Sequence, residues 1–291
     1  MNDLAICIRN IIKDFGHFRL GPLNMNVPPG AIYGLIGLNG AGKSTTIDLI
    51  MGMGRPDEGS IEVFGMTHKD SEVKIKERIG YVSPELSYNA WGKVNRLIRF
   101  LKKFYSDWDD EYCRKLLDRL SIGEYDKIPS LSFGSKVKLN LIMALSHHPQ
   151  LLLLDEPAIG VDAVAKKEIY TELLSAVQDP ERTVLIASNT LSEVERFCDH
   201  FGMIHNGDLL VEGPTADIVE SYRIVDFDFQ QGGIHPPKTQ GIFVQEFKDG
   251  RCRALVNMKG DGMEWLKNHG ADNFTETPVD LEELFVSLAK R

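Results

Sequence analysis

The stretch that decides the fold runs from Gly37 to Thr45 and reads GLNGAGKST. It matches the pattern G-x-x-x-x-G-K-[ST], whose glycines let successive backbone N–H groups converge on phosphate oxygens. A short strand is predicted at Ala31–Ile36 and a helix at Lys43–Met51, which is the context that this motif requires. A plain glycine-rich turn would not need Lys-Ser at the helix start, so we interpret the stretch as a phosphate-binding loop.

The polar residues of this loop suit the parts of a nucleoside triphosphate. Lys43 can reach the β- and γ-phosphates, and the Ser44 hydroxyl can ligate Mg²⁺. The N-terminus of the following helix adds its partial positive charge to the site. The predicted nucleotide-binding residues of the loop are Asn39, Gly40, Ala41, Gly42, Lys43, Ser44 and Thr45.

A second motif, LLLLDEP, runs from Leu151 to Pro157. Its wholly apolar run predicts a central parallel strand that is buried on both faces. The two acids at its end would lie beside the phosphate loop, because ligand sites form at the carboxyl ends of such strands. Asp155 is the expected Mg²⁺ ligand, directly or through water, and Glu156 is the expected base that orients and deprotonates the attacking water. A turn with exposed acids is the alternative, which the upstream phosphate loop disfavours.

Apolar runs and amphipathic segments alternate along the first part of the chain. This alternation predicts an α/β fold in which helices cover a parallel sheet. We place a first domain at 1–220, with a largely helical segment at about 86–150.

The pattern changes after about residue 221. Apolar residues alternate with aspartates at 225–229, which predicts a half-buried antiparallel strand, and turn signals follow at Gly232-Gly233 and Pro236-Pro237. We therefore predict a small α+β domain at 221–291. Its last helix is predicted to begin at Thr277-Pro278, with Thr277 as the N-cap.

Composition restricts the classes of function. The 291 residues carry a formal net charge of −9, which disfavours a nucleic-acid partner because such proteins usually present a basic face. No stretch approaches the roughly 20 apolar residues of a membrane span, so a role at a membrane would need another chain to supply the span.

His147-His148 ends a predicted helix, where we expect the pair to favour the helix C-terminus electrostatically; we assign it no metal. The cysteines lack metal-type spacing and are interpreted as reduced thiols: Cys7, Cys113, Cys198 and Cys252.

A third motif, LSFGS at Leu131–Ser135, precedes a predicted helix, and Gly160-Val161-Asp162 follows the Asp-Glu-Pro sequence. In this order and spacing, the motifs resemble the ATP-binding subunits of ABC transporters over about 1–220. The resemblance implies a P-loop NTPase cassette. Such a cassette has a RecA-like, mostly parallel sheet, an antiparallel β subdomain and a helical subdomain.

Members of this family pair head to tail, with ATP between the phosphate loop of one subunit and the LSFGS-type signature of the other. The resemblance therefore implies that Ser132 and Gly134 contact the γ-phosphate of ATP held by a partner. It also implies that Asp162 ends the segment that crosses between the two sites. Phe15 occupies the place of the adenine-stacking aromatic residue, with a core phenylalanine as the alternative.

Two positions depart from the family pattern. Pro84 or Glu85 stands where the family usually has a loop glutamine, and we assign Glu85 to the metal side of the site. Asn189 stands where the family usually has a histidine. Asparagine can donate a hydrogen bond to a γ-phosphate but carries no proton or positive charge. The predicted catalytic residues are Glu156, Lys43 and Asn189.

Three further segments, at 104–112, 138–141 and 278–285, resemble ATPases of the bacterial acetoin-utilisation and peptide-toxin exporter group. This resemblance implies ATP and Mg²⁺ as cofactors, and a multi-span membrane permease as partner. It also implies a homodimer, or a heterodimer with a second ABC ATPase, that is cytoplasmic and peripheral on the inner face of the cell membrane.

Two alternatives remain open at this point. The departures at Glu85 and Asn189 are compatible with a weakly hydrolysing, nucleotide-binding regulatory subunit that is paired with a different ATPase. A soluble ABC-type ATPase that acts on ribosomes or DNA is disfavoured by the single cassette and by the acidic net charge.

Overall fold

A computed structural model describes residues 4–229, 241–248 and 250–289. These residues form two compact units. The first contains 4–189 and Ile204–Leu209, and the second contains Thr190–Met203 and 210–289. The turns predicted at Gly232-Gly233 and Pro236-Pro237 lie outside the described residues.

Strands and helices alternate along the chain, as the sequence predicts. The strands are β1 (Ile6–Asp14), β2 (Arg19–Val27), β3 (Ile32–Ile36), β4 (Glu58–Val63), β5 (Ile79–Val82), β6 (Leu151–Asp155), β7 (Thr183–Ser188), β8 (His200–His205), β9 (Asp208–Pro214), β10 (Tyr222–Phe229), β11 (Ile242–Lys248), β12 (Arg251–Asn257) and β13 (Ala271–Pro278). The helices are α1 (Lys43–Ile50), α2 (His68–Glu77), α3 (Val94–Leu101), α4 (Asp110–Arg119), α5 (Phe133–Leu145), α6 (Ala163–Ala176), α7 (Leu191–Phe197), α8 (Thr215–Ser221), α9 (Gly262–Asn268) and α10 (Leu281–Ala289). Among residues 4–229, 241–248 and 250–289, no helix combines the length and apolar character that crossing a membrane requires.

A parallel sheet in the first unit brings the functional segments to one edge. Its strands lie in the order β5-β6-β7-β3, and each neighbouring pair is parallel. Every residue of β6 and β7 is buried, which is why both strands read as continuous apolar runs. Because the strands share one direction, the phosphate loop after β3 and the acids at the end of β6 emerge at the same edge. The α/β architecture predicted from the sequence is therefore confirmed.

The first unit also contains an antiparallel sheet of order β2-β1-β4. Central β1 pairs Ile6 with Val27 on one side and with Val63 on the other. Its buried residues join α1 and the parallel strands in one core. Because β1 and β2 are paired in this sheet, the two ends of the Phe15–Phe18 turn that connects them are held in place.

The second unit contains a four-stranded antiparallel sheet of order β11-β12-β10-β13. Val225, Phe227 and Phe229 are buried in its core, so the half-buried strand predicted at 225–229 is confirmed. The domain boundary predicted between residues 220 and 221 falls at the end of α8, one residue before β10, and stays a prediction.

The helix start predicted at Thr277 is wrong. Thr277 lies in β13 and pairs with Ile224, so the backbone at this point belongs to the sheet. The last helix begins at Leu281, and Asp280 caps it by accepting a hydrogen bond from the Glu283 N–H at 2.7 Å. Aspartate and threonine are both good N-caps, and strand pairing decides between them.

Candidate nucleotide-binding site

The phosphate loop takes a conformation that only small residues allow. Gly40 and Gly42 have φ values of 77° and 112°, in the left-handed region that favours glycine. Gly37 is required for a different reason, since a Cβ there would lie 2.4 Å from the Ile204 carbonyl oxygen. The loop therefore presents its backbone with little side-chain obstruction, as phosphate binding requires.

Lys43 lies under this loop with all of its donors engaged. Its Nζ donates to the carbonyl oxygens of Gly37 at 2.9 Å and Leu38 at 3.2 Å. The third contact is an ion pair of 3.0 Å with Oε1 of Glu156. The lysine side chain is only 4% exposed. An ammonium group has three N–H donors, so a phosphate oxygen can bind Lys43 in this position only if one of these contacts is released.

Ser44 and Asp155 lie together where a divalent cation would bind. The Ser44 hydroxyl donates to Oδ1 of Asp155 at 3.1 Å. Burial raises the pKa of Asp155, and the nearby carboxylates of Glu156 and Asp48 raise it further. A buried carboxylate beside two other acids and a hydroxyl suits a cation with oxygen ligands, which supports the assignment of Ser44 and Asp155 to Mg²⁺.

Glu156 is held in a backbone conformation that is rare for its residue type. Its φ is 47°, and its N–H donates to the Ala187 carbonyl of β7 at 3.0 Å. Such left-handed non-glycine residues cluster at functional sites, where the surrounding structure compensates for the strain. The result is a carboxylate that turns back from the end of β6 toward Lys43.

Asn189 follows β7 and reaches the phosphate loop. Its Nδ2 donates to Oδ1 of Asn39 at 3.1 Å. The side chain is exposed, so it can also meet a ligand bound on the loop. Both residues were predicted as part of the site, and the structure brings them into contact.

A cavity of about 560 Å³ opens above the loop. It joins Phe15, which is 48% exposed, to the phosphate-binding residues. Lys13 lies 5.7 Å from the centre of the Phe15 ring. The cavity is lined by Phe15, His17, Phe18, Asn39, Gly40, Gly42, Lys43, Ser44, Thr45 and Glu156.

Sequence reasoning missed two of these lining residues, His17 and Phe18. The β1–β2 turn carries them next to Phe15, and the His17 Nδ1 lies 3.1 Å from the Phe15 carbonyl oxygen. Their proximity to Phe15 in sequence was the only available signal. An exposed aromatic ring at one end and a phosphate cradle at the other give the cavity the polarity of a nucleotide site.

The signature segment does not line this cavity. Ser132 is the N-cap of α5, and its Oγ accepts from the Ser135 N–H at 3.1 Å. Gly134 packs against the next helix, since a Cβ there would lie 2.9 Å from the Ala165 Cβ. Asp162 caps α6 by accepting from the N–H groups of Val164 and Ala165, and the Ala165 bond is the main reason that its pKa is lowered. Ser132, Gly134 and Asp162 therefore lie at the N-terminal ends of α5 and α6, outside the lining of the cavity.

Glu85 lies in the loop after β5, outside the cavity lining. Its side chain is exposed, and its N–H donates to the Ser83 Oγ at 3.2 Å. The pKa of Asp48 on α1 is raised by burial and also by the charge of Glu85. Asp48 is thus an acidic neighbour of the metal side that sequence reasoning missed. In the described part of the chain, no three His, Cys, Asp or Glu side chains form a preassembled metal site.

The expectation for His147 is wrong. Its ring is buried and stacked on Tyr105 with centroids 3.9 Å apart, and its Nε2 lies 3.1 Å from the Ile79 carbonyl oxygen. Burial lowers the pKa of His147 to about 4, so it is neutral at pH 7 and supplies no charge to the helix C-terminus.

Known proteins resemble this chain in sequence and fold. The family described as ABC transporter matches residues 20–159. The bacitracin transport ATP-binding protein BcrA of Bacillus licheniformis is 37% identical over 205 residues, which cover 69% of this chain and 66% of that protein. The linearmycin resistance ATP-binding protein LnrL of Bacillus subtilis is 32% identical over 72% of this chain and 69% of its own length. A solved ATP-binding subunit of an ABC transporter matches with a TM-score of 0.67 at 26% identity, over 74% of this chain and 92% of that one.

These similarities cover the segment that carries the phosphate loop and the Asp155-Glu156 strand end. The predicted P-loop ABC cassette and its capacity for ATP are therefore confirmed. The chain belongs to the ABC transporter family, as one of its ATP-binding ATPase proteins.

Proposed function

We propose that this chain hydrolyses ATP to power a separate membrane permease, in a bacterial exporter. The observation that carries the proposal is the contact between Lys43 and Glu156 at 3.0 Å beside the Ser44–Asp155 pair. A phosphate-binding cation, a candidate base and candidate metal ligands thus lie at one sheet edge. A protein that only bound nucleotide would not need the base there.

The arrangement supports an order of events at the site. ATP would enter with its adenine on Phe15 and its phosphates on the loop, and Lys43 would exchange the Glu156 carboxylate for phosphate oxygens. The released carboxylate would orient a water molecule and accept its proton as the water oxygen attacks the γ-phosphorus. The bond from the γ-phosphorus to the β–γ bridging oxygen breaks, which gives ADP and phosphate.

Ser44 and Asp155 would hold Mg²⁺, with Glu85 assigned to the same side. When bound, the cation would neutralise charge on the phosphate oxygens. Mg²⁺ commonly uses one or two protein groups together with substrate phosphates, which fits the small number of ligands here. Asn189 would donate its amide hydrogen to the γ-phosphate, in the place where the family has histidine.

The active unit would contain two cassettes. Ser132 is exposed at the N-terminal end of α5, Gly134 is buried in its first turn, and neither residue lines the cavity of its own chain. We assign them to the γ-phosphate of ATP on a second subunit, where the N-terminus of α5 would add its positive end. Asp162, which caps the neighbouring α6, would lie at the crossing between the two sites. The partner cassette is a second copy or an unlike ATPase.

Export and the permease partner are proposed from the relatives. BcrA is named for bacitracin transport and LnrL for linearmycin resistance. By analogy, this chain would be a cytoplasmic subunit that is held at the inner face of the cell membrane by its permease. The proposal includes no nucleic-acid partner.

A regulatory subunit with weak hydrolysis is the second candidate. The observation that favours it is Asn189, whose amide contacts Asn39 and cannot carry a proton. Such a subunit would bind ATP as tightly as an active one and would need a different ATPase for turnover.

Steady-state hydrolysis and ATP-dependent dimerisation of the purified chain, beside Glu156→Gln, distinguish these candidates. If the chain is a hydrolysing homodimer, the wild type should turn over ATP, and the variant should lose turnover and form firmer ATP-dependent dimers. Wild-type protein that binds ATP without turnover or dimers contradicts the hydrolysing homodimer and supports the regulatory subunit.

A further inference from the structure

Asn140 joins the middle of α5 to the loop that follows β5. The residue is 2% exposed, and its Nδ2 donates to the carbonyl oxygens of Ser83 at 2.9 Å and Leu86 at 3.1 Å. Carbonyl oxygens only accept, so the NH₂ group of Asn140 must face them. One side-chain amide therefore bridges both ends of the segment that carries Glu85.

An asparagine at this position is unfavourable for the helix itself. Its neighbours Leu139 and Leu141 are fully buried, and asparagine is a poor residue for a helix interior. A buried amide also costs free energy unless its hydrogen bonds are satisfied. The two bonds to the loop offset these costs, which identifies the loop contact as the role of the residue.

The two ends of this connection lead to two different parts of the proposed reaction. The Ser83–Leu86 loop carries Glu85, which acts electrostatically on Asp48 near the metal side. The N-cap of the helix, Ser132, lies eight residues or about 12 Å before Asn140. A short, buried contact therefore connects the loop to the helix whose N-terminus carries Ser132.

We propose that Asn140 is a positioning residue that makes α5 and the Ser83–Leu86 loop move as one body. Engagement of Ser132 with the nucleotide of a second subunit then fixes the place of Glu85 in the first. This inference rests on the proposed function, because it assigns Ser132 to a partner's ATP.

Three variants on the same helix test the inference. Asn140→Leu removes both donors and keeps the branched shape of the side chain, although its methyl groups occupy more volume, and Asn140→Asp replaces the amide by an isosteric carboxyl group. The matched control is Ser146→Ala, since Ser146 is the fully buried C-cap of this helix, and its hydroxyl donates to the Ile142 carbonyl and is hydrogen-bonded to Cys113. All three are first compared by thermal unfolding and by binding of a fluorescent ATP analogue to the monomer.

We expect Asn140→Leu to lower kcat about 10-fold with unchanged monomer affinity for ATP, and Ser146→Ala to retain both. Asn140→Asp gives a sharper readout. Its carboxylate repels two carbonyl oxygens, whereas the protonated form donates one hydrogen bond. Burial of a group as covered as Asn140 raises its pKa by more than the half-buried Lys136, which lines the same pocket, lowers it, so the kcat ratio of Asn140→Asp to wild type should rise as the pH falls from 8 to 6.

Amide hydrogen exchange tests the mechanical link without hydrolysis. In Asn140→Leu, exchange at the amides of Ser83, Glu85 and Leu86 should become at least about 10-fold faster, while Ser146→Ala should match the wild type. Equal exchange and equal kcat in Asn140→Leu and Ser146→Ala overturn the inference, as does a kcat ratio that is flat with pH. A wild type without turnover contradicts the proposed function instead, and hydrogen exchange then decides whether the link exists.

Discussion

Replacing Glu156 by glutamine should lower the Kd for ATP, as an effect separate from its effect on hydrolysis. In the structure, Lys43 Nζ donates to two loop carbonyls and to Glu156, with the carboxylate 3.0 Å away. Bound phosphate must displace one of these three partners. The carboxylate is the natural one to leave, because its charge repels the phosphates. Glu156 therefore competes with the ligand for the lysine.

The magnitude follows from the strength of that contact. The ammonium makes a charge-assisted hydrogen bond to either acceptor, but only the carboxylate adds the attraction of opposite charges, which is about 1 kcal/mol at 4 Å in a high-dielectric surrounding. A glutamine oxygen at the same place should therefore bind Lys43 less tightly by about 1 kcal/mol and compete less with phosphate. That difference corresponds to roughly a 5-fold lower Kd for ATP. Loss of the repulsion between carboxylate and phosphate acts in the same direction.

Binding of a fluorescent ATP analogue measures this effect directly. The titration should be made with EDTA and at protein concentrations where the chain stays monomeric, so that hydrolysis and dimerisation do not contribute. Glu124→Gln is a suitable control, because it removes the same charge from an exposed side chain outside the cavity lining. A Kd for Glu156→Gln that equals or exceeds those of wild type and control would refute the competition.

Three other changes test the fold around the site. His147→Gln should flatten the pH dependence of unfolding free energy between pH 6.5 and 4, measured by urea titration. A neutral buried histidine with a pKa near 4 loses about 3 kcal/mol of stability as the pH falls through that window. Gly134→Ala should lower the unfolding free energy by about 1–3 kcal/mol and reduce hydrolysis, because the new Cβ would crowd Ala165 at 2.9 Å. An unchanged Tm and kcat would show that α5 and α6 adjust freely. Asp280→Ala should remove the cap of α10 and lower the unfolding free energy by about 1 kcal/mol, while Asp280→Ser should restore most of it.

The sequence was sufficient where the structure is decided locally. The phosphate loop follows from glycines and Lys-Ser between a strand and a helix, and the Asp155-Glu156 position follows from an apolar run ending in acids. Both inferences need only that parallel strands end at one edge. In the structure, the residues of both motifs form a single cluster around Lys43.

Contacts that depend on distant pairing could not be predicted in this way. Asn140 and Ser83 are 57 residues apart, and nothing in either local pattern indicates the other. Thr277 has the residue type of a helix cap, but β13 extends through it because Ile224 is there to pair. His147 has the sequence position of a charged helix end, yet burial makes it neutral. In each case, tertiary packing overrides a correct local preference.

Under the proposed function, the position of the signature segment means that a single chain would hold an incomplete site. Lys43, Ser44 and Glu156 surround the cavity, whereas Ser132 caps a helix that does not line it. A γ-phosphate bound to Lys43 would therefore have protein donors on one side and an open side opposite. Closure of that side would need a second surface with N–H donors, and we propose that the exposed N-terminus of α5 on another cassette supplies it. The Asn140 contact would then connect this closure to the metal side, so that hydrolysis would depend on the partner and not on ATP alone.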